Sequence, residues 1–125
     1  MEHGWAYGSQ GKALHGKLFM NVLTTGGREV AYQKDGYNHF TIRELLAPIE
    51  QTANLCGMIF LPPFVVHGTH QMGQEGIAKS AQEYKTLLIA LRDDRIDFKQ
   101  VDKFPRINSQ LDKIMKLSEV SDHAQ

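Results

Sequence analysis

Two short apolar runs constrain this chain more than anything else in it. Lys17-Leu-Phe-Met-Asn-Val-Leu-Thr24 and Met58-Ile-Phe-Leu-Pro-Pro-Phe-Val-Val66 are the two. The first, bounded by turn residues, has the length and content of a strand buried on both faces. The second reads as another strand, and Pro62 and Pro63 remove two ladder donors, so it is expected to break or end there. A helical pattern lies between the runs and another follows the second. That alternation points to an α/β layered sheet with right-handed crossovers. Two strands and two helices do not enclose a doubly covered sheet unaided. The chain therefore reads as an incomplete α/β domain, with something missing or supplied by another chain.

Thr41-Ile-Arg-Glu44 is a capping box, in which the threonine oxygen accepts an amide hydrogen bond and the glutamate reaches back. Leu45, Leu46, Ile49, Ala53 and Leu55 continue from it as an apolar helix face. Pro48 is expected to bend this helix in its second turn, and Gly57 to stop it. From Gln74 to Arg92, the residues Ile77, Ala81, Tyr84, Leu88 and Leu91 recur at helix spacing. The first sixteen residues, rich in glycine, read as loop, and residues 28–40 as a long loop carrying Tyr32 and Tyr37. Beyond Arg92 the chain is polar and mixed in charge, with Leu111, Ile114, Met115 and Leu117 marking one short last helix. The expected division is residues 1–92 as the sheet-forming unit and residues 93–125 as a polar tail.

Charge and composition narrow the function classes. Fourteen basic and fourteen acidic side chains balance, which argues against a dedicated nucleic-acid binder. At 42% hydrophobic the chain has enough apolar residues for a folded core. No run approaches the roughly 18 apolar residues of a membrane span. The start shows no basic region followed by an apolar one. A single cysteine, Cys56, excludes an internal disulfide and fits a reducing compartment, so the expected location is cytoplasmic.

Thr24, Thr25, Gly26 and Gly27 follow directly on the first strand. In open α/β sheets ligands bind outside the carboxyl ends of strands, where glycines admit close approach and amides and hydroxyls donate. The same four residues also describe an ordinary turn. Tyr32 and Tyr37 could donate a phenolic proton to a ligand oxygen or simply pack the loop. Of the six histidines, at 3, 15, 39, 67, 70 and 123, only His67 and His70 are near neighbours. They lack the third ligand a zinc site needs, so no metal site is expected. Cys56 falls late in a helix on its apolar side and reads as a buried structural thiol. No nucleophile elbow, phosphate loop or dinucleotide fingerprint is present.

In order along the chain, His3-Gly-Trp-Ala-Tyr-Gly8, Ala13-Leu-His-Gly-Lys17, Thr24-Thr-Gly-Gly27, Leu46-Ala-Pro-Ile-Glu-Gln-Thr-Ala53, Cys56-Gly-Met58 and Leu61-Pro-Pro-Phe64 form a set. This set resembles the flavodoxin-like NAD(P)H:quinone oxidoreductases over roughly residues 3–92. Within that family it looks like the bacterial branch that includes the ancillary proteins of glutathione-gated potassium-efflux systems. The resemblance implies a five-stranded parallel sheet of order 2-1-3-4-5, with FMN at the strand carboxyl ends. It implies a homodimer with interfacial active sites, passing a hydride from NAD(P)H through FMN to a quinone. By that resemblance Thr24, Thr25, Gly26 and Gly27 line the flavin ring, and Tyr32 is the catalytic tyrosine that faces it and stabilises charge on the reduced ring. The animal quinone reductases add a histidine six residues after that tyrosine; here the position is Asn38, with His39 beside it. Family members also begin with a further half-domain, holding three strands, the FMN-phosphate loop and an aromatic platform. The resemblance therefore makes this chain the C-terminal half of such a domain.

Three functions follow for testing: a flavin-dependent quinone reductase, a regulatory subunit of a potassium-efflux antiporter at the inner membrane, and an inactive fragment. Without the half-domain that the resemblance implies, the strand at residues 17–24 is left with an exposed apolar edge, which predicts self-association of the chain by strand pairing between protomers. Light scattering at high concentration should show an oligomer, and a sharp monomer peak contradicts the expectation.

Overall fold

The extended run of residues 17–24 forms two short strands, β1 (Leu18–Phe19) and β2 (Val22–Thr24), and its counterpart forms β3 (Ile59–Phe60) and β4 (Phe64–Val66). These are seen in a computed structural model that describes residues 3–116. β1 pairs with β3 and β2 with β4, both in parallel, with Leu18 opposite Ile59 and Val22 opposite Phe64. Three residues, 61–63, therefore face two, Met20 and Asn21. The extra residue is accommodated at the prolines, whose missing N–H groups have no place in a ladder. Pairing resumes at once: Leu61 N–H donates to Phe19 O and Phe64 N–H to Asn21 O, both at 2.9 Å.

Helix α1 (Ile42–Leu45) opens with the expected capping box. Glu44 N–H donates to Thr41 Oγ1 at 3.1 Å and Thr41 N–H to Glu44 Oε1 at 3.0 Å. Pro48 does not bend that helix. It stands in the first turn of a separate helix, α2 (Ala47–Leu55), where a missing N–H costs no intrahelical bond. Gly57 stops α2 in the left-handed region, φ +69°, and the His15 ring packs so close that a side chain here would crowd it.

Helix α3 (Gln74–Arg92) has the predicted bounds and a rotated buried face. Leu87 and Ala90 are buried, with Tyr84 and Leu91 packed beside them, whereas Ile77 and Leu88 of the predicted stripe are exposed. The rotation follows from where the rest of the chain lies. Residues 93–116, read from the sequence as polar tail, fold back over α3 through α4 (Phe98–Val101) and α5 (Leu111–Ile114). They supply Ile96, Val101, Ile107 and Ile114, half of the core cluster completed by Leu61, Phe64, Leu87 and Ala90. Leu117, assigned above to the last helix, and His123 lie outside the described residues.

This segment also covers the outer edge of β4. Ile107 N–H donates to Pro63 O at 2.8 Å. The Asn108 side-chain amide then mimics a neighbouring strand, accepting from Val65 N–H and donating to Val65 O at 3.1 and 2.8 Å. The opposite edge is different. Leu18 and Val22 are 41% and 49% exposed, which corrects the reading of residues 17–24 as buried on both faces. That exposure is of one face of the strands; among the described residues no further strand pairs with β1 or β2.

If residues 93–116 belong to the core, Ile114→Ala should cost about 2–4 kcal/mol of unfolding free energy in a denaturant titration. A change within about 0.5 kcal/mol, as at a surface site, contradicts that assignment.

Candidate functional site

The carboxyl ends of β2 and β4 lie side by side, and the loops leaving them cross-link. Thr25 N–H donates to Val66 O at 2.9 Å, Thr69 N–H to Thr25 O at 3.0 Å, and Gly68 N–H to Gly27 O at 2.8 Å. Thr69 Oγ1 donates to Thr25 O as well, at 3.0 Å. Gly68 sits at φ +71°, a turn a side chain would strain. Thr25 is only 7% exposed. Its hydroxyl lies 2.9 Å from Gly27 O and 2.8 Å from His67 Nδ1.

Tyr32 ends a 3-10 turn over Glu29–Tyr32 and holds its ring 5.5 Å from the His67 imidazole, tilted by 37°. Both line a cavity of about 250 Å³ whose other walls include Ile42, Val65, Pro105 and Arg106. Glu29 and Arg106 form an ion pair at 2.8 Å on its lining. That Arg106 hydrogen bond holds the Glu29 carboxyl below the usual carboxylate range, against the opposing effect of burial. Burial pushes the His67 pKa below the ordinary histidine value; Glu29 opposes the shift and Arg106 adds to it.

The sequence-predicted residues fall into distinct environments. Thr24 is exposed at the end of β2. Thr25 is buried, with its hydroxyl turned to protein partners. Gly26 is half-buried against His70, and a Cβ there would overlap the imidazole. Gly27 is exposed and open: an added Cβ would meet Ala31 and the Tyr32 ring at 3.8 and 3.9 Å, ordinary contact distances. Among the described residues, the N–H groups of Gly26 and Gly27 donate to no protein acceptor. Gly27 and Tyr32 are thus brought together, while Tyr37 stands apart at 88% exposed. His39 is exposed, with φ +61°. The histidine beside Tyr32 is His67, for which the sequence offers only its nearness to His70 and no role. The available signal was its position, one residue past the second strand and level with the Thr-Thr-Gly-Gly turn. Cys56 is buried. Among the described residues no three His, Cys, Asp or Glu side chains gather as metal ligands, and no helix is long and apolar enough to cross a membrane.

Parallel strands whose carboxyl-end loops carry unbonded amides are the layout of an open α/β ligand-binding domain. The chain belongs to the flavodoxin-like fold family, which matches residues 1–88. Over 82 residues it is 46% identical to general stress protein 14 of Bacillus subtilis, covering 66% of this chain and 47% of that protein. The NAD(P)H oxidoreductase YrkL of the same organism is 43% identical with the same coverage. The glutathione-regulated potassium-efflux system ancillary protein KefF of Salmonella arizonae is 39% identical over 99 residues, 74% of this chain and 52% of that one. Two solved structures are similar. General stress protein 14 of Treponema denticola in complex with FMN has a TM-score of 0.64 at 38% identity, covering 72% of this chain and 51% of that chain. An NADPH-quinone reductase of P. pentosaceus has a TM-score of 0.63 at 31% identity, covering 70% and 51%. The chain spans about half the length of the curated relatives it matches.

The lowered His67 value sets a pH dependence. The unfolded chain binds more protons at this residue than the folded one, so this contribution to stability is complete above the unfolded value of about 6.5. It is lost as pH falls from there through the folded value. His67→Gln removes that sensitivity. The wild-type advantage in urea titrations should therefore shrink between about pH 7.5 and about pH 5. An advantage that stays constant, or grows, in acid contradicts the shift.

Proposed function

We propose that the chain is the flavin-ring half of an FMN-dependent NAD(P)H:quinone oxidoreductase that works as a homodimer in the cytoplasm. The observation that carries this reading is the pair of unbonded amides at Gly26 and Gly27, on a strand carboxyl end beside Tyr32. These residues suit the acceptor-rich edge of a flavin ring: two free donors and an open glycine surface at Gly27. Relatives of 31–43% identity named NAD(P)H oxidoreductase, NADPH-quinone reductase or solved with FMN support the same reading. FMN, when bound, relays a hydride from NAD(P)H to the quinone.

The chain's own residues then have separate tasks. Gly26 and Gly27 amides orient the ring edge, with Thr24 and Thr25 framing the turn that presents them. Thr25 does so indirectly, since its hydroxyl is committed to Gly27 and His67. Tyr32 is the catalytic residue, a phenolic donor toward charge developing on the ring. Residues 1–92 are proposed as the flavodoxin-like unit and residues 93–125 as a C-terminal segment, of which residues 93–116 pack onto that unit's core. The similarity to KefF favours a second role, as a subunit that docks on a potassium-efflux antiporter at the inner membrane. Co-purification with the cytoplasmic part of such a transporter tests that role, and a clean absence of binding contradicts it.

Gly27→Ala separates ligand approach from folding, because the structure accommodates the methyl group. The wild-type chain should quench FMN fluorescence on titration, and the variant should keep its unfolding midpoint while binding FMN about tenfold or more weakly, a loss of about 1.4 kcal/mol. No quenching by the wild-type chain, or equal affinity in both, contradicts the reading.

A further inference from the structure

The single hydroxyl proton of Thr25 determines how His67 is presented to the cavity. Gly27 O can only accept, so Thr25 Oγ1, at 2.9 Å, spends its proton there. Toward His67 Nδ1, at 2.8 Å, the same oxygen can then only accept. Nδ1 must carry a hydrogen. In the neutral imidazole that leaves Nε2, on the far edge of the ring, as a bare acceptor. Among the described residues Nε2 has no hydrogen-bond partner, and the ring lines the cavity.

We infer that His67, held in its Nδ1–H form by Thr25, is a hydroxyl acceptor for a neutral phenol or hydroquinone seated in the cavity beside Tyr32. The walls select that chemistry. Ile42, Val65 and Pro105 are apolar, and Tyr32 contributes an aromatic ring. A volume of about 250 Å³ exceeds the roughly 150 Å³ in which a benzene ring is known to fit. Both guanidinium groups on the lining are already neutralised, Arg106 by Glu29 at 2.8 Å and Arg43 by Glu50 at 3.1 Å. A carboxylate or phosphate therefore finds no unpaired cation there, and a neutral hydroxylated ring meets no uncompensated charge. Pro105 and Arg106 lie beyond residues 1–88, so part of the cavity wall comes from the stretch of this chain outside the family match. The choice of hydroquinone rests on the quinone-reductase reading above; the hydroxyl-acceptor role rests only on the Thr25 geometry.

The test needs neither flavin nor turnover, so its failure leaves the FMN reading standing. The full chain is labelled with 15N-histidine and titrated, by nuclear magnetic resonance, with 1,4-dihydroxybenzene or with 1,4-dimethoxybenzene, which lacks the donor. The free chain should show His67 protonated at Nδ1 and bare at Nε2. Dihydroxybenzene should shift Nε2 saturably, and dimethoxybenzene should bind about tenfold or more weakly. His67→Phe should abolish the discrimination, and Thr25→Ser should preserve it. Protonation of wild-type Nε2 in the free chain, or equal responses to the two compounds, overturns the inference.

Discussion

Thr25 stands where two parallel strands end, and its polar groups hold those ends together. Its amide reaches Val66, its carbonyl takes both donors of Thr69, and its hydroxyl bridges Gly27 and His67. Each bond is worth about 1 kcal/mol net, and their joint effect is positional. They fix the turn so that the Gly26 and Gly27 amides stay outside the network, and they set the orientation of the imidazole beside Tyr32. The residue that shapes the site is therefore the least exposed member of the Thr-Thr-Gly-Gly turn.

Below that point, the pairing itself depends on a mismatch. Two prolines interrupt the second strand, and one extra residue is taken up opposite Met20 and Asn21, so that Phe64, Val65 and Val66 pair with Val22, Leu23 and Thr24. A one-residue slip would turn Phe64 and Val65 away from their present packing. The far edge of β4 is guarded by Ile107 and Asn108, and the same segment carries Pro105 and Arg106 to the cavity. Core, edge protection and cavity wall thus share one stretch of chain.

Features determined by neighbouring residues were legible in the sequence. The capping box at Thr41, the stop at Gly57, the long helix and the interruption at the prolines all follow from local chemistry. The parallel α/β class was legible from alternation alone. The C-terminal contribution to the core was not, because Ile96, Val101 and Ile107 sit among charged residues with no sustained helix or strand period, and the short helix legible at Leu111–Ile114 gave no sign of what it packs on. Without them in view, the buried face of α3 was placed one position off. His67 was hidden for a different reason. Its role arises from strand register, which brings it to Thr25 across 42 residues of chain, and no spacing rule reports that. The site was legible as a turn and a tyrosine, and its histidine was legible only in three dimensions.

Native-state amide hydrogen exchange of the full chain, with and without FMN, tests the account most directly. The amides of Thr25, Gly68 and Thr69 should be protected in the free chain, and those of Gly26 and Gly27 should exchange fast until FMN slows them. Fast exchange at Thr25, or Gly26 and Gly27 amides indifferent to FMN, would contradict the view that Thr25 builds a turn whose free donors receive a flavin.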